Sequence, residues 1–227
     1  MRDKLIVTVD GPAGSGKSTV SKILAKRISY AYLDTGALYR ALAYKVLQSG
    51  VASEDGEMLT KLCNNVVITL ESADGDMKVF VDNQDVTDKI RTEEIGTVAS
   101  DISALSVVRQ SLLSVQRQAG RGGGIIAEGR DMATVVFPDA DIKFYLDADA
   151  SERGRRRYLE LLERGMDVEL DDITVSLLQR DRQDSQREIA PLRPDEKSVI
   201  IDTTFLTIDN VVEKMVELVR YFIKNTE

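Results

Sequence analysis

Residues 11–18 read GPAGSGKS. The stretch matches the pattern G-x-x-x-x-G-K-[ST], with two glycines, a lysine and a serine in the four defined positions. An apolar run at 5–9 comes before it, and a helical pattern at 17–29 opens from it. A strand, a glycine-rich turn and a helix in this order form a loop whose backbone amides surround phosphate oxygens. The sequence therefore predicts a nucleotide-binding site built into an α/β fold.

The residue types in this loop suit phosphate chemistry. Glycine lets the backbone turn so that N–H groups point inward, and the new helix offers its amino terminus to the same anion. We expect Lys17 to reach the β and γ phosphate oxygens and the Ser18 hydroxyl to ligate Mg²⁺. The expected nucleotide-binding residues are Gly11, Pro12, Ala13, Gly14, Ser15, Gly16, Lys17, Ser18 and Thr19.

Outward from the loop, short apolar runs alternate with helical patterns, which is typical of a parallel sheet covered by helices on both faces. Strands are predicted at 5–9, 30–33, 124–127, 142–146 and 199–201, and helices at 17–29, 37–47, 106–119, 151–164, 172–187 and 208–224. One region breaks the alternation: residues 66–71 and 78–82 read as a hairpin with its turn at 72–76. They predict a small antiparallel insert within about 63–103.

The composition narrows the class of protein. A net charge of −8 and a pI near 4.8 argue against general nucleic-acid binding. No apolar run approaches the roughly 20 residues of a membrane span, and the amino terminus reads as a strand instead of a signal peptide. Cys63 is the only cysteine, which suits a reducing compartment, so we expect a cytoplasmic location. No apolar stripe is left unassigned, which favours a monomer.

The chain contains no histidine, so catalysis has to use carboxylates, lysine, arginine, hydroxyl or backbone groups. A phosphate loop then leaves two classes open: a switch that hydrolyses GTP, and a kinase that passes the γ-phosphoryl group to a second molecule. A guanine-selective switch normally carries Asn-Lys-x-Asp, and no asparagine here is followed by lysine. A kinase needs a second anion site that faces the first.

Polar turns follow two further predicted strands, at the sheet edge where ligands collect in open parallel sheets. Asp34 and Thr35 follow one strand, and Arg40 lies on the helix after them. Either Asp34 or Thr35 is also a plausible helix cap, although we include Thr35 among the substrate-binding candidates. The turn at 128–131 follows the other strand and reads EGRD, in which Glu128 can orient water bound to Mg²⁺.

Residues 179–188 read QRDRQDSQRE and place Arg180, Asp184 and Arg187 on one helix face at i, i+4 and i+7. We expect Asp184 to hold both arginines in extended rotamers, which would present two guanidinium groups to an anion. A solvated face of ion pairs is the alternative, worth only a few tenths of a kcal/mol per pair.

Residues 151–157 read SERGRRR and form a second arginine cluster. Arg153, Arg156 and Arg157 share a helix face and would repel one another without an anionic partner, so we expect them to face a ligand. We expect Gly154 to weaken the helix in a segment that opens and closes. The alternative is an exposed helix whose arginines pair with nearby acids such as Glu160 and Glu163.

The motifs that carry a family resemblance are DGPAGSGKST at 10–19, LDTGALYR at 33–40, IRTEEIGTVAS at 90–100, EGRDMATVVFPDA at 128–140 and RDRQDSQREIAPL at 180–192. In this order they resemble the bacterial cytidylate kinases, which belong to the nucleoside monophosphate kinases. The resemblance implies a P-loop NTPase fold, a three-layer αβα arrangement around a five-stranded parallel sheet. It implies a core of residues 1–62 and 104–227, an acceptor-binding insert at 63–103, and a lid at about 150–166.

The implied reaction is Mg²⁺-dependent transfer of the ATP γ-phosphoryl group to CMP or dCMP. The resemblance assigns the acceptor phosphate to Arg40, Arg130 and Arg187, the cytosine edge to Ser100, Arg109 and Asp131, the sugar to Arg180 and Asp184, and the moving phosphoryl group to Arg153 and Arg157. The family commonly has Asp where this chain has Glu128, and Gly where it has Ala133. Alternatives are a kinase for UMP or AMP and a nucleotide-dependent switch.

Overall fold

The computed structural model describes residues 4–52, 55–73 and 76–226. Five parallel strands form the main sheet in the order β2-β6-β1-β7-β8, with β1 in the centre. A second, three-stranded antiparallel sheet has the order β3-β4-β5. The strands are β1 (Ile6–Asp10), β2 (Ala31–Asp34), β3 (Ile68–Ala73), β4 (Asp76–Val81), β5 (Gln84–Asp85), β6 (Ile125–Gly129), β7 (Ile142–Asp147) and β8 (Val199–Asp202).

Helices cover both faces of the main sheet, which confirms the predicted three-layer α/β architecture. They are α1 (Lys17–Ile28), α2 (Thr35–Ser49), α3 (Gly56–Asn65), α4 (Glu93–Ile102), α5 (Ser106–Ala119), α6 (Ala150–Glu163), α7 (Leu170–Gln186) and α8 (Ile208–Thr226), with a short 3₁₀ turn at Lys89–Arg91 and a π-helical turn at Met132–Val136. None of the helices in the described part of the chain combines the length and the apolar character needed to cross a bilayer.

The helix starts follow from their sequences. Helix α1 begins after Gly16, which has a left-handed backbone with φ of 90°. Helix α2 is capped by Asp34, whose carboxylate accepts a hydrogen bond from the Ala37 N–H at 3.0 Å, so Asp34 is the cap of the two candidates. This cap also fixes the direction in which the chain leaves β2.

The predicted hairpin is confirmed as β3 and β4, and residues 74 and 75 of its predicted turn lie outside the described residues. Helices α3 and α4 were not predicted, because each is only 10 residues long, and along α3 only Leu59 and Cys63 are buried. Side chains from the antiparallel sheet, α3 and α4 share one buried cluster with the inner face of α2 and with α5. The insert is therefore packed firmly against the helices beside the main sheet.

Helices α6 and α7 pack closely against one another. A Cβ added at Gly154 would lie 2.3 Å from the Thr174 Oγ1 atom, so this position has no room for a side chain. The expectation that Gly154 serves to weaken the helix is corrected here: the glycine lets α6 approach α7. Helix α8 packs on the other face of the sheet, against α1, through a separate buried cluster.

Candidate active site

The loop at 11–18 has the wrapped backbone that phosphate binding requires. Gly11, Gly14 and Gly16 have backbone φ values of 147°, 75° and 90°, which residues other than glycine rarely adopt. A Cβ at Gly11 would lie 2.0 Å from the Leu146 carbonyl oxygen, so β7 also excludes a side chain there. The chain therefore turns tightly between β1 and α1, with the amino end of α1 at the loop.

Lys17 lies inside this loop and is almost fully buried. Its Nζ donates to the Pro12 carbonyl oxygen at 2.6 Å and to the Ser15 Oγ at 3.4 Å. Burial, followed by the charge of Arg130, lowers the pKa of Lys17 to about 7. An anion placed in the loop would favour the charged ammonium form again.

The parallel register brings polar strand ends to one edge of the sheet. Asp34 of β2 lies opposite Glu128 of β6, and Asp10 of β1 lies opposite Gly129. The Thr35 Oγ1 atom donates to the Glu128 carbonyl oxygen at 2.7 Å, so this buried hydroxyl ties the end of β2 to the end of β6.

Glu128 is buried, and the Tyr32 hydroxyl donates to its Oε1 atom. Its Oε2 atom is buried without a hydrogen-bond partner among the described residues. Burial raises the pKa of Glu128, and the nearby charge of Asp34 raises it further. A buried carboxylate oxygen without a hydrogen-bond partner among the described residues fits a hydrated divalent cation. A hydrogen bond with the Ser18 side chain acts to lower the pKa of the same carboxyl, so the fold brings Ser18 and Glu128 together. The residues present therefore fit the Mg²⁺ that the family resemblance implies.

A group of partly buried arginines surrounds Asp184 on α7. The Arg130 Nε donates to Asp184 Oδ2 at 2.8 Å, and the Arg187 guanidinium lies 3.6 Å from Asp184 Oδ1. Burial alone would raise the pKa of Asp184, but the charge and hydrogen bond of Arg130, with the charges of Arg187 and Arg180, together keep this pKa below its usual value. The expectation that Asp184 holds Arg180 and Arg187 is corrected in part, because Arg130 takes the place of Arg180. Helix α7 ends at Gln186, so Arg187 follows it in an extended backbone and turns back toward Asp184.

Within the described part of the chain, two guanidinium groups of this cluster have buried N–H donors without a hydrogen-bond partner. They are the Arg187 Nη2 and the Arg180 Nε. Burial, followed by the charge of Arg130, lowers the pKa of Arg180 to about 10. Burial, followed by the charge of Arg109, lowers the pKa of Arg187. Positive groups that destabilise one another, with donors unused, indicate a site prepared for an anion.

A second buried contact lies beside this cluster. Arg109 of α5 pairs with the Asp131 carboxylate, and its guanidinium lies 5.6 Å from the centre of the Tyr39 ring. The Arg187 Nη2 lies 3.8 Å from Asp131 Oδ1, which joins this contact to the arginines around Asp184. Ser100 of α4 donates to Gln183 Oε1 of α7 at 3.3 Å. These contacts bring polar side chains of α4, α5 and α7 together beside Asp131.

Arg40 lies nearer the solvent, at the start of α2. Its Nη2 donates to Asp34 Oδ2 at 2.8 Å, so the carboxylate that caps α2 also orients the guanidinium. The charge of Arg40 acts on Arg180 and that of Arg130 acts on Lys17. Arg40 and Arg130 are therefore near enough for their charges to act on Arg180 of α7 and on the lysine of the loop.

The arginines of α6 differ from the expectation of an unpaired, mutually repelling face. Arg153 pairs with Asp181 at 2.5 Å, Arg156 with Glu152 at 3.0 Å, and Arg157 with both Glu93 and Glu160. The expected lack of protein partners is wrong because acids of α4, α6 and α7 pair with these arginines, while their contact with a ligand stays a prediction. The alternative pairing with Glu160 is confirmed for Arg157.

Two of these arginines also join α6 to the phosphate loop and to the loop after β8. Arg153 is buried and donates to the Ala13 carbonyl oxygen at 3.1 Å. Arg156 donates to the Thr203 carbonyl oxygen at 2.6 Å, and the Thr203 hydroxyl donates to the Ser15 carbonyl oxygen at 3.2 Å. The helix therefore lies directly over the residues that would hold a nucleotide's phosphates.

The sequence did not single out Tyr32, Gln183 or Asp10. Tyr32 reads as a strand residue and Gln183 as one polar residue among many on α7, so neither carried a signal. Asp10 precedes the glycine-rich loop directly, and a carboxylate at the end of an otherwise apolar strand was an available signal.

Comparisons with known proteins agree with this geometry. A family model described as "Cytidylate kinase" matches residues 7–221. A protein of that name from Geobacter sp. (strain M21) is 50% identical over 216 residues, covering 95% of this chain and 93% of the relative. One from Streptococcus thermophilus (strain CNRZ 1066) is 45% identical over 208 residues, covering 91% and 92%. An uncharacterized protein of known structure from Eubacterium ventriosum shares the fold, with a TM-score of 0.52 at 12% identity over 96% of this chain and 99% of that one.

Proposed function

The chain belongs to the cytidylate kinase family, and on that premise we propose that it transfers the γ-phosphoryl group of ATP to CMP or dCMP, giving ADP and CDP or dCDP. One observation carries the proposal beyond family membership. A phosphate loop with a buried lysine faces a cluster of partly buried arginines, in which some buried N–H donors have no hydrogen-bond partner among the described residues. A transfer between two phosphate groups needs two such anion sites side by side.

Phosphoryl transfer suits a site without histidine. The transition state is loose, and its charge spreads over the equatorial oxygens, so catalysis is mainly positioning and charge neutralisation. The acceptor phosphate is already an anion and needs no strong base. Holding donor and acceptor in line can supply roughly 7–11 kcal/mol of the barrier reduction.

We assign the donor phosphates to the loop at 11–19, with Lys17 on the β and γ oxygens. The acceptor phosphate would lie between Arg40, Arg130 and Arg187, where the unused donor of Arg187 supports the assignment. Arg180 and Asp184 would contact the sugar, with Thr35 as a further substrate-side residue held by the end of β6.

Arg153 and Arg157 would neutralise charge on the moving phosphoryl group, together with Lys17, Arg130 and Arg187. The contact of Arg153 with the Ala13 carbonyl oxygen supports its place beside the donor loop. Arg157 would first have to break its ion pair with Glu93 of α4. We therefore expect α6 to move when it closes over the substrates.

We propose that Ser18 and Glu128 hold Mg²⁺, with Glu128 acting through a bound water. Mg²⁺, when bound, would supply positive charge that neutralises the phosphate oxygens during the transfer. Glu128 is one methylene longer than the aspartate common in the family, and the hydrogen bond from Tyr32 determines where its carboxylate lies. The unpartnered Oε2 atom is then the one available to a water of the ion.

Cytosine recognition would depend on Asp131, Arg109 and Ser100. A carboxylate accepts a hydrogen bond from the cytosine amine, while a guanidinium donates to the ring nitrogen or O2. Uracil reverses this pattern and would leave buried polar groups unpaired. Sites of this kind can discriminate between substrates by up to about 10⁴–10⁵.

Replacing Asp131 by asparagine is expected to lower the preference for CMP over UMP by roughly 10–100-fold. The amide can donate to the uracil carbonyl, whereas the carboxylate can only accept. The measurement is the ratio of kcat/KM for the two monophosphates. Asp101→Asn is the matched control, because Asp101 is an exposed acid beside Ser100 whose Oδ1 accepts from Gln183. An unchanged ratio in Asp131→Asn would count against base recognition by Asp131.

Three further features are part of the proposal. Residues 63–103 would be the acceptor-binding insert within a core of 1–62 and 104–227, which the separate antiparallel sheet supports. Residues 150–166 would be the lid, which the position of α6 over the phosphate loop supports. We also propose a cytoplasmic monomer.

The proposed function is tested with a panel of nucleoside monophosphates, ATP and Mg²⁺ in a coupled assay for ADP. CMP and dCMP are expected to give the highest kcat/KM, with UMP and AMP at least about 10²-fold lower. Turnover is expected to vanish when Mg²⁺ is chelated. A preference for UMP or AMP would show that this monophosphate, and not CMP, is the acceptor. ADP formation that needs no acceptor would instead indicate a nucleotide-dependent switch.

A further inference from the structure

Asp10 is the last residue of β1 and directly precedes Gly11 of the phosphate loop. Its side chain is buried, with about 1% of the residue exposed. The Met132 N–H donates to Asp10 Oδ1 at 2.9 Å, and the Ala133 N–H donates to Asp10 Oδ2 at 2.8 Å. One carboxylate therefore binds two consecutive backbone amides more than 120 residues away in sequence.

These two amides open the π-helical turn at Met132–Val136. The first N–H groups of a helical turn have no partner within the turn. The residue before the turn, Asp131, provides no side-chain cap, because its carboxylate pairs with Arg109 instead. Asp10 supplies the missing acceptors from the neighbouring strand and so determines where the turn begins.

Backbone pairing between β1 and β6 does not hold the π-helical turn in place. The pairing between β1 and β6 ends at Asp10 opposite Gly129, and the two backbones separate after it. The segment between that last pair and the π-helical turn consists of Arg130 and Asp131. Beyond the ladder, the Asp10 side chain is thus a direct connection from the end of β1 to this segment.

We propose that Asp10 is a positioning residue for acceptor recognition: by binding the amides of Met132 and Ala133, it holds Arg130 and Asp131 in register with the phosphate loop. The proposal rests on the proposed function, because the acceptor roles of Arg130 and Asp131 are part of it. One short side chain then sets the position of the acceptor site against the donor site, in a reaction whose rate depends on their alignment.

Asp10→Asn tests the proposal with a nearly isosteric side chain. Its amide has one oxygen acceptor, and its NH₂ group would face the second backbone N–H. Burial raises the pKa of Asp10 to about 7, so assays are run near pH 8, where the native carboxylate is ionised. We expect the KM for CMP to rise roughly tenfold and the CMP over UMP preference to fall, while the KM for ATP changes by less than about twofold.

Asp141→Asn is the matched control. Asp141 Oδ2 accepts from the Ile6 N–H at 2.7 Å, which is the same kind of contact at the opposite end of β1. If loosening of β1 alone were responsible, both variants would change the kinetics alike. We expect Asp141→Asn to keep both KM values and the base preference within about twofold of the wild type.

Hydrogen exchange gives a readout that does not depend on activity. The amides of Met132 and Ala133 are expected to exchange slowly in the wild type and at least roughly tenfold faster in Asp10→Asn. Rapid exchange in the wild type would overturn the proposal without any variant. If Asp10→Asn shows no cooperative thermal unfolding, Asp10→Glu is measured in its place, because it keeps the charge but displaces the carboxylate. If neither variant folds, Asp10 is a folding element and the positioning role is overturned.

A failure of the proposed function and a failure of the proposed role of Asp10 would give different results. Wild-type protein without CMP kinase activity would contradict the proposed function. Active wild-type protein together with wild-type kinetics and exchange in Asp10→Asn would contradict only the role of Asp10.

Discussion

Replacing Arg130 by alanine is expected to lower kcat/KM for CMP by about 10³-fold while ATP still binds. The Arg130 side chain is only 20% exposed, and its Nε donates to Asp184 at 2.8 Å, so its guanidinium is already oriented before an acceptor enters. Removing it takes away charge-assisted hydrogen bonds to the acceptor phosphate, which are stronger than hydrogen bonds between neutral groups. The phosphate loop does not depend on this side chain for its shape.

The measurement combines steady-state kinetics with CMP and direct binding of ATP by calorimetry. Arg182→Ala is the control, because Arg182 is an exposed arginine on the same helix as Asp184. Thermal unfolding separates lost binding from lost structure, since Asp184 loses its closest partner in the variant. Turnover near the wild-type rate would refute the assignment of the acceptor phosphate to Arg130.

The Lys17→Ala variant is expected to lose about 10³-fold or more in kcat/KM with every acceptor. In the absence of nucleotide, the Lys17 ammonium binds the Pro12 carbonyl oxygen and the Ser15 hydroxyl. The β and γ phosphates of ATP would replace these partners. Because this interaction is with the donor, CMP, dCMP and UMP should all be affected equally.

Lys17→Ala should make the folded protein more stable, although it lowers the activity. Burial lowers the pKa of Lys17 from its ordinary value of 10.5 to about 7. Between these values the unfolded chain binds a proton that the folded chain does not, so this group makes the wild type more stable as the pH rises. Below about pH 7 the full cost of the buried charge is present. We therefore expect Lys17→Ala to gain most in melting temperature relative to the wild type near pH 6.

Lys26→Ala is the control for both measurements, because Lys26 is an exposed lysine in the last turn of the same helix. It should keep the wild-type activity and the wild-type dependence of stability on pH. Retained ATP-dependent activity in Lys17→Ala would remove Lys17 from the donor site.

Local signals in the chain were enough to predict the strands and most helices. Each parallel strand is a short apolar run bounded by polar or glycine residues, and each predicted strand overlaps an observed one. Helix α3 could not be predicted from the sequence because its two buried positions make too weak a pattern. The hairpin was predictable because its turn residues lie between two alternating runs, although the third strand is only Gln84–Asp85.

The arginines mark the limit of this approach. Their spacing correctly placed Arg153, Arg156 and Arg157 on one helix, but two of the acids that pair with them come from distant segments: Glu93 for Arg157 and Asp181 for Arg153. Arg187 lies beyond the end of its helix, where periodicity no longer predicts direction. A charge's partner depends on which helices pack together, and no local pattern contains that information.

The sequence alone determined the phosphate loop, the alternation of strands and helices, and the family, because these depend on residues adjacent in the chain. Only the tertiary structure decided which side chains meet at the sheet edge: Asp10 with the amides of residues 132 and 133, Tyr32 with Glu128, and Arg130 with Asp184. The physical reason is that parallel strands far apart in sequence end side by side, and burial there strengthens each polar contact that the register creates.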